Sequence, residues 1–318
     1  MPDGQRPTKQ EPGTASAAQA GTAAGQSTEY ARLRAERPGG PVDVSKPNVA
    51  RVYDYLLGGF EAFAADREQA AGLLRISPSL GLAALENRYF LARAITWAAG
   101  QGLTQFADLG AGAPIRKPSA GVMEDTHVTA RAVSSSARVA YVDNDRVVLS
   151  RSMAFRAAGK GVAVIDADLT DTSSVLADPA LRAVIDAEQP VCLIFGLVLS
   201  LLAARRAHEV VAAYAERIAA GSLIVISTGR CDDETLWKQL SETYTAADLH
   251  NHSQAEVDGF LAGLEVIPPG LTPAQNWRGG WHDAPATPPG PAYVLGAVAR
   301  KPLLLHRSLR RRQQPAAP

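Results

Sequence analysis

Three carboxylates, each placed where an apolar run ends, are the groups in this chain best suited to hold a ligand. Phe106-Ala-Asp-Leu-Gly-Ala-Gly-Ala-Pro114 passes through Asp108 and breaks at Gly110 and Gly112. Arg138-Val-Ala-Tyr-Val-Asp-Asn-Asp145 runs into Asp143 and Asn144, and Ile165-Asp-Ala-Asp-Leu169 closes on Asp168 and Leu169. A Gly-x-Gly break lets the backbone turn tightly and approach a bound molecule, and an acid at the end of the next strand can accept two hydrogen bonds from ribose hydroxyls. Acids at three consecutive strand ends suit one nucleoside-containing ligand lying across the crest of a sheet. For Asp108 and Asp143 the structural alternative is to cap the helix that follows.

These acids require a sheet to carry them, and the pattern supplies one. Apolar runs predict strands near 106–109, 138–143, 162–166, 191–199, 222–228, 264–267 and 292–299. Helical spacing predicts helices near 123–133, 145–158, 205–220, 232–248 and 253–261. Seven strands interleaved with helices imply an α/β, mostly parallel sheet covered on both faces. Between 264–267 and 292–299 lies only the Pro/Gly/Trp-rich stretch Pro268–Gly290, so these two strands should form an antiparallel closing hairpin. Ahead of the first strand, Val49, Val52, Tyr53 and Leu56 begin a helix that Gly58 and Gly59 stop, and two more follow in Phe63–Ile76 and Leu80–Gly102. The division expected is a disordered tail over 1–43, a helical cap over 44–104, a Rossmann-like domain over 105–302 and a basic tail over 303–318.

Among 318 residues, Lys plus Arg and Asp plus Glu both number 32, so no global field draws the chain to nucleic acid or an anionic membrane. The basic stretch at 306–315 reads as a solvated end. The N-terminal residues hold no apolar signal segment, and the longest apolar run, Val191 to Ala204, is about 14 residues, short of a spanning helix. A cytoplasmic protein is therefore expected. Cys192 and Cys231 are too few for a disulfide framework and read as reduced thiols.

The constellation discriminates between cofactors. A dinucleotide fingerprint continues to a third glycine, where this chain has Ile115, and places its acid about 20 residues on, whereas Asp143 lies about 30 beyond Gly112. The loop also lacks the Gly-Lys-Ser/Thr of a phosphate-binding loop. An acid at Asp108 would repel a pyrophosphate but suits an ammonium group. S-adenosylmethionine has an amino-acid end, a sulfonium and an adenosine without phosphate; Asp168 would stand where a side chain can reach the adenine amino group.

With these residues in view, the chain resembles a family of actinobacterial S-adenosylmethionine-dependent methyltransferases once catalogued as a domain of unknown function. The resemblance rests on Val49-Ala-Arg-Val-Tyr-Asp-Tyr-Leu-Leu-Gly-Gly59, Phe63-Ala-Ala-Asp-Arg67, Asp108-Leu-Gly-Ala-Gly112, Tyr141-Val-Asp-Asn-Asp145 and Trp277-Arg278, and spans about 43–302. It implies a class I methyltransferase fold with an N-terminal helical cap, and a cofactor site of Asp108, Gly110, Gly112, Asp143, Asn144 and Asp168, with Leu169 beside them. The chain departs from the family at Phe60-Glu-Ala62, where Lys-Asp-Asn is usual, and at Val128, where an acid is usual. At the fourth strand it reads Leu199-Ser-Leu-Leu-Ala-Ala-Arg-Arg206 in place of Leu-His-Phe and acids, and Thr228 stands where relatives carry another His.

Methyl transfer from a sulfonium is an in-line displacement that depends on alignment and exclusion of water and has no obligatory acid. For a hydroxyl or ammonium acceptor a base helps; His127 and Asp54 are the candidates, with helix capping the alternative for His127. Tyr55, with Tyr53, either lines the pocket or anchors the cap. His250-Asn-His252 lacks a third ligand at a metal-site spacing and reads as an exposed loop. Trp277 and Trp281 either wall a substrate or pack beneath a loop. The reading is a methyltransferase for a small-molecule acceptor, without a metal, with a non-catalytic binding protein of the same fold and a nicotinamide oxidoreductase as alternatives.

Overall fold

The structure, a computed structural model, describes residues 43–115, 124–157, 159–279 and 290–303. The expectations for residues 1–42, Trp281 and the basic C-terminal stretch lie outside the described residues.

Five parallel strands carry the site: β1 (Gln105–Leu109), β2 (Arg138–Asp143), β3 (Val162–Asp166), β4 (Cys192–Gly196) and β5 (Leu223–Cys231). With β6 (Glu265–Val266), β7 (Thr272–Pro273) and β8 (Ala292–Arg300), the order is β3-β2-β1-β4-β5-β8-β6, and β7 pairs with β8 off this path. The path therefore holds the seven strands expected, and β7 is a two-residue addition within the Pro/Gly/Trp-rich stretch. β8 runs antiparallel to both β5 and β6, the closing hairpin expected. From β1 the chain winds outward to β2 and β3 and then returns to β4 on the other side of β1. The crest between β1 and β4 is thus the switch point at which open α/β sheets bind ligands.

Period-two alternation divides the core between the sheet's faces. Ala107 and Leu109 face a cluster completed by Val175 of α6 (Thr172–Ala177), Leu181 of α7 (Pro179–Val184), Val210 and Tyr214 of α8 (Ala204–Arg217) and Phe260 of α10 (Gln254–Phe260). Phe106 faces the opposite cluster, with Phe90, Ala94 and Ile95 of α3 (Leu80–Gly100) and Ala130 of α4 (Thr126–Val133). The helices α6 and α7 were not expected: six residues each are too few to display a helical period, although Asp171 and Asp178 cap them.

The helices ahead of β1 divide their roles. α3 lies against the sheet as a core element, whereas α1 (Val49–Leu56) and α2 (Ala64–Ile76) share a third cluster, through Val52, Ala70 and Leu73, with Leu240 of α9 (Glu234–Thr243). Asp66, fully buried, ties α1 to α2 by accepting from Arg51 Nε at 2.6 Å and from the Asn48 and Phe63 N–H groups at 2.8 Å each. Two contacts lash these helices to α5 (Arg146–Phe155): Asn48 Nδ2 donates to Asp145 at 2.8 Å, and Glu61 pairs with Arg151 at 2.6 Å. The departure at Glu61 is thus met by a partner. No helix among the described residues is long and apolar enough to cross a membrane.

Candidate functional site

A cavity of about 540 Å³ opens at the carboxyl ends of β1, β2 and β4, between the sheet crest and α1 and α3. That volume lies in the range of small-molecule and cofactor sites. Its floor is the turn after β1, which leaves the strand at Gly110 (φ 74°) and bends again at Gly112 (φ 63°). A Cβ on Gly110 would stand 2.6 Å from Val198 Cγ2, so both conformation and space require glycine there. At Gly112 no atom lies within 4 Å of an added Cβ, so the backbone is open for a ligand to approach. Beneath the turn, Arg156 donates to the Gly112 carbonyl at 2.9 Å and the Ala113 carbonyl at 3.2 Å. Arg156 is fully buried, pairs with Asp125 at 2.8 Å and lies 4.3 Å from the Tyr141 ring centre. Burial opposes its charge, but Asp125 outweighs that penalty and raises the guanidinium pKa.

The three expected acids differ in their surroundings. Asp143 accepts from the Gly112 N–H through Oδ2 and from the Asp145 N–H through Oδ1, both at 2.9 Å, and so clamps the glycine turn to the end of β2. Each carboxylate oxygen keeps accepting capacity for a further donor. Burial raises the Asp143 pKa against the pull of those two N–H groups. Asp108 is buried where Asp143 is half-buried; it accepts from Thr126 Oγ1 at 2.7 Å, and burial raises its pKa as well. Asp168 lines the cavity but is exposed, and it does not end a strand: β3 stops at Asp166, in register with Asp143, and Asp168 accepts from the Thr170 N–H at 2.8 Å in the turn beyond. Asn144, Asp145 and the buried Leu169 complete this wall.

The candidate bases are placed otherwise than the sequence suggested. His127 does not line the cavity; its backbone N–H donates to the Tyr141 hydroxyl at 2.9 Å, its Nδ1 lies 2.8 Å from the same oxygen, and burial lowers its pKa. Tyr55 also lies off the cavity wall and packs against the cluster of Val52, Leu73 and Leu240. Asp54 lines the cavity, but its carboxylate accepts from the Glu61 N–H at 2.8 Å, and a Cβ on Gly59 would stand 2.1 Å from Oδ1. It fastens the double-glycine turn. Trp277 is fully buried, edge-on to Phe90 and Trp97, and belongs to the core.

His250 and His252, expected in an exposed loop, are drawn inward. His252 is 3% exposed, donates from Nε2 to the Leu199 carbonyl at 3.0 Å and stacks with His250 at 6.0 Å. His250 lines the cavity, and its backbone N–H donates to the Ser200 carbonyl at 2.8 Å. The Ser200 hydroxyl is itself occupied, accepting from the Gly229 N–H at 2.9 Å. β4 ends at Gly196 rather than near 199, because Leu197 turns into the left-handed region (φ 62°) and a 3-10 turn follows at Val198–Leu201. Cys231 lines the cavity and Cys192 lies in the core; burial raises both thiol pKa values. No group of three or more metal-ligating side chains occurs among the described residues.

Sequence reasoning missed Asn87, Arg88 and Arg156, and set His250 in an exposed loop rather than on the cavity wall. Asn87 and Arg88 were the findable ones, as two polar residues on the face of α3 that also carries Leu91 into the cavity. The set as a whole fits S-adenosylmethionine: an open glycine turn, the buried Asp108 and the half-buried Asp143 for ammonium and hydroxyl donors, and, among the described lining residues, only Arg88 and Arg230 as cations.

Comparison with known proteins agrees. A family model described as S-adenosyl methyltransferase matches residues 35–302. The crystal structure of a candidate methyltransferase from Thermobifida fusca YX is similar at 32% identity and a TM-score of 0.74, covering 82% of this chain and 97% of that one. A DUF574 family protein from Streptomyces avermitilis MA-4680 is similar at 30% identity and a TM-score of 0.76, covering 82% of this chain and 100% of that one. No curated protein matches. The chain belongs to the S-adenosyl methyltransferase family, whose cofactor is S-adenosylmethionine.

Proposed function

We propose that this chain transfers a methyl group from S-adenosylmethionine to an apolar small molecule bound in the same cavity. The observation that carries the reading is the cavity's two-sided lining. Asp108, Gly112 and Asp143 come to it from β1, β2 and the glycine turn, which we take as its nucleoside end; Trp237, Leu240, Tyr244, Tyr293, Leu202 and His250 come from α9, β8 and the loops after β4 and α9, which we take as its acceptor end. The sulfonium supplies an electrophilic methyl group. Asp143 accepts from the ribose hydroxyls, Asp108 faces the ammonium, and the glycine turn lies against the nucleoside. The aromatic and aliphatic wall holds the acceptor and excludes water, so that alignment rather than acid catalysis lowers the barrier. His250 is the imidazole on that wall and receives the proton of a hydroxyl or amine acceptor.

Titration calorimetry of the full chain with S-adenosylmethionine, S-adenosylhomocysteine and NAD tests the cofactor half, with saturable binding expected for the first two. Binding of NAD alone would sink the proposal. Incubating cell extract with labelled cofactor tests the transfer half, and labelled product is expected. Tight cofactor binding with no product from any extract would favour a regulatory binding protein, a reading supported by the structural use of the Ser200 hydroxyl, where the resemblance leads one to expect His.

A further inference from the structure

We infer that Asn87 and Arg88 recognise the α-amino-acid end of S-adenosylmethionine, and that Tyr53 of the cap holds them in place; the inference rests on the cofactor reading above. The two residues are neighbours on α3 and both line the cavity. Each has a buried polar atom without a hydrogen-bond partner: Oδ1 of Asn87, an acceptor, and Nε of Arg88, a donor. Leaving such an atom unpaired costs roughly 1–3 kcal/mol. Because both residues line the cavity, a ligand that brings a donor and an acceptor to this wall would supply what the two atoms lack.

The orientation of Asn87 follows from its bonding. The Tyr53 hydroxyl donates its proton to the Ala84 carbonyl at 3.0 Å, so its oxygen can only accept from Asn87, 2.8 Å away. That places Nδ2 toward Tyr53 and leaves Oδ1 as the unpaired atom. Arg88 lies 5.9 Å from the Tyr53 ring centre, forms no ion pair among the described residues, and its charge acts on Asp108. An α-ammonium finds acceptors here in the Asn87 amide and the Asp108 carboxylate, and an α-carboxylate finds the Arg88 guanidinium. A phosphate would gain Arg88 but meet Asp108 and the Asn87 oxygen, and a bare nucleoside would satisfy neither unpaired atom. Tyr53, from the Tyr-Asp-Tyr-Leu-Leu-Gly-Gly stretch, thereby has a role: it sets the amide that reads the ligand.

The test is calorimetric titration of the full chain with two probes, S-adenosylhomocysteine, which carries the amino-acid end, and 5′-methylthioadenosine, which shares the nucleoside and lacks that end. The unmodified chain is expected to bind the first more tightly. Arg88→Met is expected to weaken S-adenosylhomocysteine roughly 10- to 100-fold and to leave 5′-methylthioadenosine within about twofold. Tyr53→Phe, which releases the Asn87 amide, is expected to produce a smaller loss of the same selective kind. Equal losses for both probes would mark Arg88 as structural and overturn the inference, as would unchanged affinity for S-adenosylhomocysteine. If Arg88→Met does not fold, Arg88→Lys retains the charge and removes the Nε donor; a selective loss supports the inference and wild-type affinity overturns it. Should the unmodified chain bind neither probe, the cofactor reading falls, and the inference with it.

Discussion

The two ends of the cavity are built by different means. At the nucleoside end, almost every group is fastened to backbone: Asp143 holds the Gly112 N–H, Arg156 holds the Gly112 and Ala113 carbonyls, and Val142 accepts from Gly110 and Ala111. At the acceptor end, the wall consists mainly of side chains from α9, the loop before α10 and β8, with aromatic and aliphatic groups prominent and fewer ties to the glycine turn. There the Tyr293 hydroxyl donates to Asp232 at 2.8 Å and the His250 N–H to the Ser200 carbonyl at 2.8 Å. Disturbing the first end therefore disturbs the fold with it. The second end can change residue by residue with less cost to the fold.

Substitutions at four positions would break or sharpen this contrast, in descending order of effect. Arg156→Met leaves Asp125 buried without its partner and frees the glycine turn; it is expected to destabilise the fold by about 3–5 kcal/mol and to abolish cofactor binding. Denaturant unfolding and titration calorimetry would measure both, and a fold as stable as the wild type would mean that the turn does not depend on this ion pair. His250→Gln belongs to the other end: once an acceptor is known, turnover should fall roughly 10²- to 10⁴-fold while cofactor affinity stays the same. A change in cofactor affinity of similar size would show that the two ends are not separable.

Asp143→Ala should reduce cofactor affinity about 100-fold, the loss of two hydrogen bonds from hydroxyls to a carboxylate. Because the same carboxylate holds two backbone N–H groups, the variant should also lose some stability, which the sequence alone did not suggest. Asp143→Asn retains one acceptor and should fall between, as read by parallel melting and binding curves.

His127→Gln is expected to have the smallest effect, since His127 lies off the cavity: cofactor affinity and turnover should match the wild type. It should instead alter the pH dependence of stability. Burial lowers the His127 pKa in the folded chain, so as pH falls below about 6.5 the unfolded chain takes up the proton first. This group's contribution is therefore complete above that pH and is lost as pH drops toward the folded value. The difference in stability between wild type and variant should be constant above pH ~7 and change below it, where only the wild type loses this contribution. Parallel curves throughout would show that His127 titrates alike in both states.

What could be read from the sequence was what neighbours in the chain decide. Strands over 106–109, 138–143 and 162–166, the Gly-x-Gly turn and the acids at 108 and 143 follow from side-chain period and turn chemistry within a few residues. The end of the third strand lies at Asp166 rather than Asp168 because two acids follow Ile165 closely, and only the register of β3 with β2 shows which one ends the strand; Asp168 still lines the cavity. The residues missed or misplaced were those defined by distant partners. Arg156 meets a carbonyl 44 positions away, Asn87 meets a hydroxyl 34 away, and His250 is brought beside Ser200 by the loop after α9. None of these contacts leaves a periodic trace, and a His-x-His in a polar stretch looks the same whether a loop folds inward or outward. By itself the sequence determined the sheet, the glycine turn and the acids that favour S-adenosylmethionine, because local geometry selects them. Tertiary structure alone decided which polar atoms would be buried without a partner and which imidazole would line the cavity, because burial and pairing are settled only when distant segments pack.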